Sequence, residues 1–99
     1  MNATLRLGSD DALYLLIGSM RYRIAAEDLR ALLFYGRAVP VTGEGTAIAG
    51  HAAVSPGGRA VRVFTVRGPF IVPLVSFRRV VTGEAASAPL FPLVPGGFL

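Results

Sequence analysis

Arginine supplies the side chains of this sequence that are best suited to bind a ligand. Arg21 and Arg23 alternate with apolar residues along one short segment, and Arg78 and Arg79 are adjacent near residue 80. A guanidinium donates paired hydrogen bonds to carboxylates and phosphates. If the two pairs lie side by side, they form a face that binds anions or nucleic acid. The alternative is a solvated polar surface or ion pairs between subunits.

Histidine and the carboxylates give no comparable arrangement. His51 is the single histidine, and no carboxylate or second nitrogen ligand lies near it in sequence. Because a general base or a metal ligand needs such partners, we interpret His51 as a structural strand residue. The adjacent acids Asp10 and Asp11 are interpreted as turn residues, although with a backbone carbonyl they could bind calcium. Glu27 and Asp28 are interpreted as residues of a helix N-terminus.

The glycine-rich segments 43–45 and 56–58 do not match nucleotide-binding loops. A P-loop requires lysine, and all ten basic residues of the chain are arginine. A dinucleotide fingerprint requires a third glycine at position 48, which is Ile48. The chain also has no cysteine, which excludes disulfides and thiolate metal sites. We therefore predict no cofactor, no metal and no enzymatic activity.

The composition is typical of one small domain with surplus apolar surface. The chain has 99 residues, of which 53% are hydrophobic and 16% charged. Small domains bury a lower fraction of their surface than large ones, so we expect apolar surface to remain for a partner, most simply a second copy. The net charge of +4 is compatible with an anionic partner but does not require one.

No membrane or export segment is evident in the sequence. The apolar stretch 12–20 is shorter than the roughly 20 residues that span a bilayer, and Arg21 and Arg23 follow it. The N-terminus lacks the pattern of a signal peptide. We therefore expect a cytoplasmic protein without membrane association.

The first half of the chain predicts three strands and a helix. Segments 3–8 and 12–17 flank a turn cluster and form a predicted hairpin. Both faces of 12–17 are apolar, which is typical of a strand covered on both sides or at the centre of a barrel wall. Segment 20–24 alternates and predicts a strand. Leucines spaced by three and four residues predict a helix over 25–36 that ends at Gly36.

The second half of the chain predicts further strands and a second helix. We predict a short strand at 37–42, strands at 46–55 and 59–67 joined by a turn at 56–58, a strand at 70–72 and a short helix at 74–82. The alanine and glycine of 46–55 favour the close approach of another backbone.

A shift of 48 residues aligns the two halves by character. The matching positions are Leu13 and Val61, Leu15 and Val63, Tyr22 and Phe70, Ile24 and Val72, Leu29 and Phe77, Arg30 and Arg78, and Leu32 and Val80. Duplication and chance matching in an apolar chain are equally compatible with this pattern. The tetrapeptide VTGE, at 41–44 and 81–84, follows a different shift and is interpreted as two turns.

The segments YRIAAEDLRALL and FIVPLVSFRRVV resemble the half-units of cradle-loop barrels. That group includes double-psi barrels and the swapped-hairpin DNA-binding domains of AbrB-type regulators. The resemblance implies two ββαβ units around a pseudo-twofold axis and a nucleic-acid-binding function. The chain departs from the pattern because both units lie on one chain, and because Glu27 and Asp28 place negative charge where a DNA-facing helix favours basic residues.

The C-terminal segment 88–99 is apolar, contains three prolines and has no charge. Since a disordered tail is normally polar, we predict that it packs on the body of the protein or on a partner. The predicted self-association residues are Leu90, Phe91, Leu93 and Phe98.

The combined expectation is a mainly β (α+β) protein that forms a small, partly open barrel. It has one β-rich domain, 1–87, with pseudo-symmetric halves 3–42 and 46–87, one clear and one short helix, and the tail 88–99. The favoured function is a non-enzymatic interaction module that forms a homo-oligomer through the tail. The alternative is a nucleic-acid-binding regulator that uses the face of Arg21, Arg23, Arg78 and Arg79.

Overall fold

The computed structural model describes residues 2–43 and 47–93. The elements are β1 (Ala3–Leu7), β2 (Leu13–Ile17), β3 (Met20–Ile24), α1 (Ala26–Tyr35), β4 (Val39–Thr42), β5 (Ile48–Val54), β6 (Ala60–Thr65), β7 (Gly68–Pro73), α2 (Leu74–Val81), β8 (Ala88–Pro89) and β9 (Phe91–Pro92). The predicted strands and both predicted helices are confirmed in approximate position, with ends that differ by up to two residues. Residue 46, the start of the strand predicted at 46–55, lies outside the described residues.

The strands form one antiparallel sheet in which neighbours in space are also neighbours along the chain, from β1 through β7. β8 pairs with β1, and β9 pairs with β7. Because these two short strands belong to one extended segment, 88–92, the sheet curves back on itself as a nearly closed barrel. The predicted mainly β barrel is confirmed, and closure is more complete than the partly open form that the sequence suggested.

The barrel consists of two halves with the same element order. Each half has three strands, a helix and a final strand, which pairs with the third strand of its own half and the first strand of the other. The strand registers also match between the halves. In the first half Arg23 pairs with Thr42, and in the second half Ile71, which lies 48 residues after Arg23, pairs with Phe91. This topology agrees with the predicted pseudo-symmetric arrangement, but each half has a full third strand before its helix, and the second half ends at 92 rather than at the predicted 87.

The positions matched by the 48-residue shift form the core of the barrel. Buried in both halves are the pairs Leu13 and Val61, Leu15 and Val63, Tyr22 and Phe70, Ile24 and Val72, Leu29 and Phe77, and Leu32 and Val80. In the strands these residues alternate with outward-facing ones, as a two-residue side-chain period requires. The two halves therefore contribute core residues at matching positions, although the residue types differ.

Both helices lie at the same end of the barrel, because each follows a strand, β3 or β7, that runs in the same direction. α1 has Glu27 and Asp28 in its first turn, where negative charge interacts favourably with the helix dipole. It ends at Gly36, whose φ of 63° is left-handed. Buried side chains of both helices join the core from this end.

The backbone approach predicted for the alanine- and glycine-rich strand occurs at Gly50. This residue pairs with Thr65 across β5 and β6. A Cβ at position 50 would collide with the carbonyl oxygen of Phe64. The absence of a side chain therefore lets the two strands pack at this point.

The C-terminal segment packs on its own body through residue 93. The amide of Leu90 donates to the carbonyl of Ala3 at 2.8 Å, and the amide of Leu93 donates to the carbonyl of Pro69 at 3.0 Å. Ala88 and Leu90 face the core, whereas Phe91 is exposed. This segment is the final strand of the barrel. Phe98 lies outside the described residues.

Candidate binding faces and cleft

The outward residues of β1, β2 and β3 form a basic and aromatic surface, which we call the arginine–tyrosine face: Arg6, Tyr14, Leu16, Arg21 and Arg23. They face outward because they alternate with the core residues of the same strands. Arg6 pairs with Tyr14, Tyr14 pairs with Arg23, and Leu16 pairs with Arg21. Tyr14 therefore lies among three arginines.

Direct contacts connect the charged groups around Tyr14. Its hydroxyl donates to Asp10 Oδ2 at 2.8 Å, and Arg23 Nη2 forms an ion pair with the same oxygen at 3.3 Å. The guanidinium of Arg21 lies 5.7 Å from the centre of the Tyr14 ring, within cation–π range. The Tyr14 hydrogen bond holds the pKa of Asp10 below its ordinary value. Arg23 is thus partly neutralised, whereas Arg6 and Arg21 border a shallow cleft of about 440 Å³.

The four arginines predicted to cluster lie on two surfaces. Arg21 and Arg23 share the outer face of β3, as expected from their spacing. Arg78 and Arg79 are exposed on α2, and Arg78 borders a separate cleft. The 48-residue shift explains why the two arginine pairs lie apart. The positions that match Arg21 and Arg23 in the second half are Pro69 and Ile71, not Arg78 and Arg79. Arg6 was missed by the sequence reasoning because its place beside Tyr14 depends on the register between β1 and β2.

Outward residues of the second half form a largely apolar surface beside the half-buried Arg62. We call this surface the apolar wall: His51, Phe64, Pro69, Ile71 and Phe91. His51 pairs with Phe64, Phe64 with Pro69, and Ile71 with Phe91. The rings of His51 and Phe64 are stacked with their centroids 4.8 Å apart. His51 therefore lies on a strand, as the sequence suggested.

The C-terminal residues expected to mediate self-association have different positions. Leu90 is only 4% exposed and belongs to the core of its own chain, so its side chain is not presented at the surface of this fold. Phe91 is 49% exposed at the edge of the apolar wall. Leu93 is half-buried. The alternation of side chains along a strand explains why Leu90 and Phe91 separate.

The two helices border a cleft of about 570 Å³ at their end of the barrel. Arg30 of α1 and Arg78 of α2 both line it, together with Asp11. These arginines are one of the pairs matched by the 48-residue shift. We call this space the interhelical cleft.

Within the described ranges, neither a cluster of metal-binding side chains nor a bilayer-spanning helix is present. No group of three or more histidine, cysteine, aspartate or glutamate side chains there is arranged to hold a metal ion. Neither α1 nor α2 has the length and hydrophobicity required to cross a bilayer.

No family model matches this chain, and no curated protein or solved structure is significantly similar to it.

Proposed function

We propose that the protein is a non-enzymatic interaction module that self-associates through the apolar wall. The observation that carries this proposal is the position of Phe91, which is 49% exposed beside half-buried Ile71. Contiguous apolar surface of this kind marks interaction sites in small proteins. The C-terminal segment would contribute through Phe91 rather than Leu90.

A second copy is the partner that best fits the distribution of charge. The arginine–tyrosine face lies on the first half of the barrel and the apolar wall on the second, so two walls can meet while most arginines remain in solvent. A twofold interface of this type pairs one surface with itself. Arg62 is the charged residue within the wall's strands, and it is half-buried opposite Ile71. Because about half of Phe91 is already buried, its full burial at an interface would contribute half of the roughly 1.5–3 kcal/mol expected for a fully exposed side chain.

The proposal is tested by measuring molar mass with light scattering after size exclusion. We expect the unmodified protein to have at least twice the mass of one chain at both low and high salt. Phe91→Arg should lower the mass to that of one chain, because it places a charge in the wall. Val75→Arg is the matched control, since Val75 is 69% exposed on α2 and its substitution should leave the mass unchanged.

Two outcomes reject the proposal. The first is a single-chain mass for the unmodified protein at the highest concentration tested. The second is an equal effect of Phe91→Arg and Val75→Arg, which would locate association elsewhere or show general destabilisation. Circular dichroism of both variants separates these two causes.

Nucleic-acid binding is a second candidate, supported by the position of Tyr14 among Arg6, Arg21 and Arg23. Aromatic rings stack on bases while arginines contact the phosphates. The same chromatography distinguishes it, because copurifying nucleic acid raises the absorbance at 260 nm relative to 280 nm and dissociates as salt rises. Replacing Arg21 and Arg23 by alanine should weaken such binding, and undetectable binding at low salt would reject it.

A further inference from the structure

The interhelical cleft has the size and lining of a small-molecule site. Its volume of about 570 Å³ falls within the roughly 300–1,000 Å³ of ligand pockets in proteins. Leu7 forms part of the wall from β1, Leu29 and Leu33 line it from α1, and Val81 lines it from α2. Leu29 is buried and the other three are half-buried. An apolar ligand body would therefore contact side chains from both helices.

Two arginines are placed symmetrically in this cleft. Arg30 and Arg78 occupy matching positions of α1 and α2, and both line the space between the helices. Within residues 2–43 and 47–93, the ion pair found is that of Arg23 with Asp10. Neither Arg30 nor Arg78 therefore has an ion-pair partner in these ranges. The pseudo-twofold arrangement thus brings two guanidiniums to one apolar cleft.

Asp11 restricts the charge of the ligand. It lines the same cleft, so the three charged side chains leave one net positive charge. Its backbone is left-handed, with a φ of 65°, and its amide donates to the carbonyl of Gly8 at 3.1 Å. Aspartate tolerates this conformation better than most residues. A ligand with a single negative charge complements this lining better than a multiply charged phosphate does.

We propose that the interhelical cleft binds a small organic monoanion with an apolar body, such as a medium-chain carboxylate. The carboxylate would lie between Arg30 and Arg78, whose planar guanidiniums suit bidentate contacts. The alkyl chain would pack against Leu29, Leu33 and Val81. This site is separate from the apolar wall, so it stands whether or not the protein self-associates.

The experiment is a titration of the full chain with octanoate, followed by amide chemical shifts in two-dimensional NMR. We expect saturable shifts concentrated in α1 and α2 near Arg30 and Arg78. The double variant Arg30→Gln with Arg78→Gln should bind octanoate at least about tenfold more weakly, because it removes both charged donors. Arg79→Gln is the matched control, since Arg79 is exposed on the same helix and should leave the affinity unchanged.

A neutral ligand of the same length separates charge recognition from apolar partition. 1-Octanol should bind the unmodified protein more weakly than octanoate does, and the double variant should lose this preference. Equal affinity for the two ligands, or equal loss in Arg79→Gln, would overturn the proposal. Cleft shifts that depend on protein concentration and not on octanoate would also overturn it, because they would show that a second copy fills the cleft.

Discussion

Tyr14 shows at the scale of single residues how a surface position acquires several neighbours at once. Strand pairing places it between Arg6 and Arg23, and its hydroxyl reaches Asp10 four residues earlier. The spacing of Arg21 and Arg23 is sufficient to predict that they share a face. The contribution of Arg6 and Asp10 could not be predicted, because it requires the register of β1 and the shape of the turn before β2.

The hydrogen bond from Tyr14 to Asp10 gives a pH-dependent prediction. It holds the pKa of Asp10 below its ordinary value of 3.8, so this contact stabilises the fold above that pH and is lost as pH falls through the lowered pKa. Tyr14→Phe should return the pKa of Asp10 toward 3.8. The carboxyl carbon shift of Asp10, followed against pH by NMR, measures the change.

Tyr35→Phe is the control for that titration, because Tyr35 is exposed at the end of α1 and Arg37 lies over its ring. We expect the titration of Asp10 to be unchanged in this variant. If Asp10 titrates identically with and without the Tyr14 hydroxyl, the hydrogen bond has no effect on its protonation.

Strands and helices were the elements most open to prediction, because their apolar positions repeat every two residues or every three to four. The final strand was the exception. Residues 88–92 carry two prolines and no charge, which predicted a packed tail rather than a strand. The signal that identifies this strand is its likeness to β4: Val39-Pro40-Val41 and Ala88-Pro89-Leu90 both read buried, exposed, buried. Composition alone does not show this relation, since it depends on the pseudo-symmetry.

The pairing of β5 with β6 depends on Gly50. Gly50→Ala should lower the free energy of unfolding by about 1–3 kcal/mol, because the new methyl group collides with the backbone of Phe64 and the strands must separate. Urea denaturation measures this difference. Gly43→Ala is the control, since among the described residues the nearest atom to a Cβ there is Ala49 Cβ at 3.4 Å. Equal stability of the two variants would show that the sheet adjusts at position 50 without cost.

Closure by residues 88–92 determines the integrity of the whole molecule. A chain that lacks 88–99 should unfold or aggregate, because β1 and β7 become unpaired edges and the core loses Ala88 and Leu90. A chain that lacks only 94–99 retains every described pairing and should keep a cooperative thermal transition. Circular dichroism and light scattering compare the two truncations. A folded, soluble chain without 88–99 would contradict the role of this segment in closure.

At the scale of the whole molecule, the sequence predicts two halves but not the surfaces on which they differ. The shared core can be recognised from matching apolar positions. The outer faces differ, because the first half carries Arg6, Arg21 and Arg23, whereas the second carries Pro69, Ile71 and Phe91 beside the half-buried Arg62. These faces become comparable only after the registers of both halves are known. The interhelical cleft was likewise hidden, although Arg30 and Arg78 were matched, because nothing in the sequence places both helices at one end.

The pairing of Leu5 with Ala88 joins nearly the first and last described strands of the chain. During synthesis, β1 is made long before β8, its second neighbour in the sheet. A sheet that forms before residues 88–92 are available therefore has two free edges, at β1 and β7. Contacts over such long sequence separations slow folding, and open edges favour association with other nascent chains. The interval before residues 88–92 become available is therefore the one in which we expect this chain to be most prone to misassociation.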